Sequence, residues 1–201
     1  MFEYIKLQRT MCFGTCPVYS VMVDNEGNVN YSGEMFVYKS GEHHWQIPMK
    51  KVEQLNGLIE DFGFKSFIYE PGNEFITDQS SCITTIKYLD GESKEINHYY
   101  GHVLIDDSLT AFEKKIERII GTKKYVNPKL YIYLVEEKIS ESSIRYMVIS
   151  ASEKEAISLA EKECTRQEAL KWKAMKIGVA IDDYYEPLIL MRDFKVRNGN
   201  L

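Results

Sequence analysis

Two of the four cysteines fall in one short string, Arg9-Thr10-Met11-Cys12-Phe13-Gly14-Thr15-Cys16-Pro17-Val18-Tyr19. Thiols this close in sequence can form a disulfide, a redox pair or half of a metal site. The spacing is C-x3-C. In the C-x2-C redox motif a helix N-terminus lowers the pKa of the first thiol. Here Gly14 and Pro17 indicate a loop feeding a strand at Val18, so that mechanism is not indicated. The first expectation is a shaped turn, with Gly14 in a conformation other residues avoid and the thiols as small buried groups. A disulfide or redox role stands second, and would be labile in a reducing cytosol. Metal stands third, because a Cys2His2 site needs two histidines as well. His43 and His44 are adjacent on an expected strand and point to opposite faces, so only one could join. The weak metal candidates are Cys12, Cys16 and His98; no metal and no cofactor is expected.

Two further residues could do chemistry. Asp78, in Thr77-Asp78-Gln79-Ser80-Ser81-Cys82, reads first as an Asx-type cap in a turn. It could instead orient a histidine or accept a substrate proton. His98, in Asn97-His98-Tyr99-Tyr100-Gly101-His102, ends a strand beside tyrosines. A general acid or base is one reading; a hydrogen-bonded structural group is the commoner one. Cys82 shares a strand face with Thr84, Ile86 and Tyr88, which favours the core over a nucleophile. The chain carries no Gly-x-Ser-x-Gly, no His-Glu-x-x-His and no glycine-rich phosphate loop.

The elements that must position these residues follow from periodicity and turn signals. Strands are expected over 2–8, 18–23 and 28–32, the last two around Asp24-Asn25-Glu26-Gly27. A second hairpin is expected from 35–38 and 43–47. Pro48 opens a helix with Val52, Leu55, Leu58, Ile59 and Phe62 as its stripe and Gly63 as its cap. A polar loop runs over 70–80, then strands 83–89 and 94–99 flank Asp90-Gly91. A second helix starts near Asp107 or Ser108, with Leu109, Phe112, Ile116, Ile119 and Ile120 inward and Gly121 closing it. Residues 123–128 read as a linker ending at Pro128. Beyond it come strands 130–135 and 146–150, a capping box at Ser152 to Glu155, a helix with Ala156, Ile157, Ala160 and Cys164 inward, and strands near 175–180 and 187–194. Trp172 is expected to pack the end of that helix, and residues 182–185 to form an exposed turn. The fold class is α+β: mainly antiparallel sheets with helices on one face, in a domain over 1–122 and a small ββαββ domain over 129–201.

Charge narrows the partners. The 201 residues carry a net charge of −5. Residues 1–127 hold 13 basic and 18 acidic side chains, and residues 128–201 hold 12 of each. Neither part has the basic excess that binding to a phosphate backbone requires, so nucleic acid is not an expected partner. No apolar run approaches the roughly 20 residues of a membrane helix, and no charged-then-apolar leader opens the chain. A cytoplasmic setting without membrane contact is the expectation.

The string Arg9-Thr10-x-Cys12-Phe13-Gly14-x-Cys16-Pro17-x-Tyr19 resembles the opening signature of a bacterial family, domain of unknown function 6438. The resemblance covers roughly residues 3–121. It implies a hairpin with Gly27 and Gly33, a helix, a turn whose aspartate matches Asp78, and a hairpin ending near His98-Tyr99-x-Gly101. It also implies that many relatives are exported or lipid-anchored, and it implies no activity. The sequence therefore leads to a non-catalytic binding or protein-interaction module, with another protein as the partner to expect. The alternative is a thiol-dependent redox or sensor protein, or an enzyme, built on Cys12, Cys16, Asp78 and His98.

Overall fold

The structure is a computed structural model that describes residues 1–102, 107–139, 142–164, 171–180 and 187–192. The chain divides into two compact units, Met1–Asn127 and Pro128–Leu201. Each is an α+β unit built on one antiparallel sheet.

The first unit contains β1 (Phe2–Arg9), β2 (Val18–Asp24), β3 (Asn28–Met35), β4 (Gly41–Gln46), α1 (Met49–Phe62), β5 (Ser81–Tyr88), β6 (Ser93–Tyr99), α2 (Ser108–Ile120) and α3 (Lys123–Val126). The strand order is β4-β3-β2-β1-β5-β6, and β1 is therefore central. Alternation along each strand decides which face is buried. On β1, Ile5 and Leu7 are buried while Lys6 and Gln8 are exposed. Val21, Val23, Val29, Tyr31, Ile86 and Ile96 join them from the neighbouring strands. The helices close this face with Val52, Leu55 and Ile59 of α1 and Leu109, Phe112, Ile116 and Ile120 of α2. Both helices end at the glycines expected, Gly63 and Gly121, each left-handed. The Asp24 carboxylate shapes the first hairpin by accepting from the Glu26 and Asn28 backbone at 3.0 and 2.8 Å.

Two details differ from the sequence expectation. Residues 35–38 do not form the first arm of a second hairpin. Instead β3 runs on to Met35, the chain turns at Phe36 with φ 53°, and β4 returns along β3 with Gly33 opposite Gly41. Residues 123–126, expected within a linker, form α3 and are tied to the first unit. Tyr38 and Lys39 donate backbone hydrogen bonds to the Val126 and Tyr125 carbonyls, and Tyr125 stacks on Trp45 at 4.4 Å. An aromatic contact of this kind holds a polar segment that propensity alone leaves as a loop.

The second unit contains β7 (Tyr131–Ile139), β8 (Ser142–Ser150), α4 (Glu153–Glu163), β9 (Trp172–Val179) and β10 (Leu188–Arg192), in the order β10-β8-β7-β9. This is the ββαββ arrangement. Ser152 caps α4 by accepting from the Glu155 backbone at 3.3 Å. Ala156 and Ala160 bury against Tyr133, Val135, Tyr146, Val148 and Ala174. The opposite face of the same strands carries Ile132, Leu134, Met147 and Met175 in register. Trp172 opens β9 and packs against this core, with its ring 5.9 Å from that of Tyr146. Residues 182–185 lie outside the described residues. Among the described residues no helix is long and apolar enough to cross a membrane.

Gly101 fixes how the 70–80 loop closes on the sheet. Ile76 donates its backbone N–H to the Gly101 carbonyl at 2.7 Å, and a Cβ at Gly101 would overlap the Ile76 carbonyl and the Tyr99 ring. Gly101→Ala must shift backbone, and is expected to destabilise by about 1–3 kcal/mol. Urea unfolding checks this; an unchanged midpoint would show that the loop yields freely.

Candidate functional site

One row of core-facing positions, at the loop end of the six-stranded sheet, is polar. The register places His98 opposite Cys82, Cys82 opposite Arg9, and Arg9 opposite Tyr19. The row exists because alternation continues past the apolar core. After Ile5 and Leu7 the next inward position on β1 is Arg9, and after Ile96 on β6 it is His98. Across from it, α2 presents Glu113 and Glu117, one helical turn apart on the same face.

These groups form a bonded network. The Arg9 Nε donates to Glu117 Oε1 at 2.8 Å, and Tyr19 donates its hydroxyl to the same oxygen. An Arg9 Nη1 proton goes to the Tyr100 hydroxyl, which donates to Glu113 Oε2 at 2.7 Å. His98 Nδ1 lies 3.2 and 3.1 Å from the two Glu113 oxygens, and Thr84 donates to Oε1 at 3.4 Å. Glu113, His98 and Thr84 are fully buried or within 1% of it. A buried carboxylate is tolerable only when paired and hydrogen-bonded, and buried Glu113 and partly buried Glu117 both are.

Burial and charge set the protonation preferences. Burial works against the Arg9 cation, but its anionic neighbours, chiefly Glu117 while Cys82 stays neutral, hold its pKa above the ordinary range. Burial, reinforced by Glu117, pushes the Tyr19 phenol up. Burial also pushes the Cys82 thiol up, so it is an uncharged group and a poor nucleophile.

Above the network a cleft of about 400 Å³ opens to solvent. Arg9, Tyr19, Tyr100 and Glu117 reach it from below, Lys114 from α2, and Cys16 and Pro17 from the β1–β2 loop. That loop is closed by a Cys12–Cys16 disulfide with Cα atoms 5.7 Å apart, within the usual bridging range. The expectation of two separate buried thiols is thus corrected. So is the special role given to Gly14: its φ is not left-handed, and its N–H instead closes a tight turn on the Cys12 carbonyl at 3.0 Å. The loop is anchored to the sheet by Thr10 N–H to Ser81 carbonyl (3.0 Å), Ser81 N–H to Thr10 Oγ1 (2.8 Å) and Phe13 N–H to Asp78 carbonyl (3.1 Å).

The four residues singled out in sequence therefore part ways. Cys12 and Cys16 are bonded to each other. Asp78 meets their loop through its backbone, in a left-handed conformation at φ 65°, while its exposed carboxylate accepts from the Thr77 hydroxyl at 3.2 Å. His98 joins Glu113 beneath the sheet row. Bonded sulfurs are not thiolate ligands, and among the described residues no three His, Cys, Asp or Glu side chains cluster as a metal site. Sequence reasoning missed the role of Arg9, Tyr100, Glu113 and Glu117. The available signal was a charged residue at the next inward position of β1, matched by two acids at i, i+4 inside the apolar stripe of α2.

Comparison with known proteins assigns the first unit. The family model described as Domain of unknown function (DUF6438) matches residues 3–120, and the chain belongs to this family. The match spans the disulfide loop, the polar row and both glutamates of α2. No curated protein and no solved structure matches the chain.

Two measurements check the site. A thiol reagent should label one cysteine in the native protein, half-exposed Cys164, and three once the disulfide is reduced without unfolding. Buried Cys82 should react only on denaturation. Labelling of Cys82 in the native state would refute its burial. Separately, Cys82 and Tyr19 have raised pKa values in the folded state, so their stabilising contribution is intact below their unfolded values of about 8.5 and 10 and is lost as pH rises beyond them. Between unfolded and folded pKa each group should cost up to about 1.4 kcal/mol per pH unit. Urea midpoints from pH 8 upward should fall more steeply for wild type than for the Cys82→Ala, Tyr19→Phe double variant; parallel slopes would disprove the assignment.

Proposed function

We propose that the first unit is a non-catalytic protein-interaction module that presents the loop end of its sheet to another protein. The observation that carries this reading is an apolar rim. Met11 and Phe13 on the disulfide loop are 65% and 90% exposed, and Phe75 and Ile76 on the adjoining loop are 60% and 62% exposed. The two loops are joined by the Phe13 to Asp78 hydrogen bond. Large apolar side chains held in water by an anchored, disulfide-closed loop support recognition of a partner, because little freedom is left to lose on binding. The acidic balance of residues 1–127 supports a protein partner over nucleic acid.

The network below supports binding rather than catalysis. Its carboxylates are occupied by Arg9, Tyr19, Tyr100, His98 and Thr84, and its one thiol is neutral. A second reading, a thiol redox sensor, is favoured by one observation: both bonded cysteines are only partly buried, and Cys16 borders the cleft. In the cytoplasm, the compartment expected from sequence, glutathione would tend to open this bond, whereas an exported protein would keep it.

The rim is tested by affinity capture with cross-linking from the protein's own cells. A Phe13→Ser, Ile76→Ser double variant should keep the wild-type melting temperature and lose a protein that the wild type retains. Equal retention by both, or no protein retained by wild type, would sink the rim as an interaction surface. A partner released by mild reductant and rebound on oxidation would favour the sensor reading.

A further inference from the structure

We infer that the cleft behind the disulfide loop is a binding site for a monoanionic carboxylate on an apolar body. Three observations converge. First, Arg9 is 11% exposed and faces the cleft, and its bonds to Glu117 and Tyr100 use Nε and Nη1. Among the described residues Nη2 has no hydrogen-bond acceptor, so a guanidinium otherwise clamped in place keeps one edge for a ligand. Second, Lys114 lines the same cleft from α2, and no described carboxylate pairs with it. Third, apolar and aromatic residues, Cys16, Pro17, Tyr19, Tyr100 and Val126, make up most of the remaining wall, with the small hydroxyl residues Ser80 and Thr110 between them.

Charge selects the ligand. Among the lining side chains Arg9 and Lys114 are cationic and Glu117 is anionic, which leaves the lining with a single net positive charge. A monocarboxylate neutralises it. A dianionic phosphate would add a second negative charge beside Glu117, in a partly desolvated site where like charges repel strongly. The guanidinium edge matches a carboxylate by charge-assisted hydrogen bonding, and a cleft of about 400 Å³ lies in the size range of small-ligand sites. The carboxylate can belong to a free small acid or to the end of a peptide chain. The site does not depend on the rim, since a carboxylate can enter whether or not a protein covers Phe13.

The test is calorimetric titration of the whole chain at low ionic strength with benzoate, benzamide, N-acetylphenylalanine and its amide. Each acid that binds should do so at least about tenfold tighter than its neutral amide, consistent with one charge-assisted contact. Lys114→Glu, at an exposed position, should keep the melting temperature and weaken acid binding about tenfold, and added salt should weaken it further. Arg9→Lys should weaken it as well where the variant folds. Tighter binding of N-acetylphenylalanine than of benzoate identifies a chain end as the source, and the reverse identifies a free acid. Equal affinity for acids and amides, no binding of either acid at millimolar concentration, or no effect of Lys114→Glu would overturn the site. The Phe13→Ser, Ile76→Ser variant should bind the acids as the wild type does whatever it captures, so failure of the cleft is read by titration and failure of the rim by capture, each without the other.

Discussion

The structure of the first unit turns on two inward-facing carboxylates, Glu113 buried and Glu117 partly buried. Glu113 and Glu117 sit where the apolar stripe of α2 meets the sheet, and Glu113 is fully inaccessible to water. A carboxylate buried as Glu113 is cannot stand alone, and removing one partner of a buried pair typically costs about 3–5 kcal/mol. The sheet answers with donors from four strands or strand ends: Arg9, Tyr19, Thr84, His98 and Tyr100. A sliding helix would keep most of its apolar contacts but leave a charge without its donor. Polar matching therefore fixes the register of α2 on the sheet more sharply than hydrophobic burial, which is non-directional.

The same matching makes the cleft preformed. Arg9 is held by Glu117 on one side and Tyr100 on the other, and Tyr100 is held in turn by Glu113. No residue of this chain of bonds is available to swing toward an incoming group. The disulfide loop is fixed just as firmly, because Thr10 exchanges two hydrogen bonds with Ser81 and Phe13 bonds Asp78. A site of this kind recognises by shape and charge already in place.

Much of this was legible in the sequence. The stripes of α1 and α2, their glycine caps, the Asp24 and Asp90-Gly91 turns and the ββαββ order of the second unit all follow from local chemistry, and local chemistry decides them. The errors fall where tertiary contact overrides it. Residues 123–126 look like a linker until Tyr125 stacks on Trp45, and residues 35–38 look like a strand until Phe36 turns the chain. Gly14 suggested a conformation that other residues avoid, yet its φ is not left-handed and a disulfide between residues four positions apart constrains the loop instead. The site was harder. Cys12, Cys16, Asp78 and His98 stand out by residue type, but only the fold shows that His98 pairs with Glu113 rather than with the cysteine loop. Glutamates within a helix stripe look like solvated residues at its edge, and only the opposing arginine, about a hundred positions away in the chain, shows that they face inward.

Rim and floor are nearly continuous in the chain, and this bears on how the site works. Arg9 lies on the cleft floor, residues 10–17 form the rim, and Tyr19 is again on the floor. The rim loop therefore begins and ends on two residues that both bond Glu117. Loop and cleft therefore share their anchors, because the backbone that closes into the disulfide loop leaves and re-enters the sheet beside side chains that line the cleft. The covalent closure of the loop and the paired charges beneath it thus belong to one preformed structure, with Arg9 and Tyr19 as its anchors.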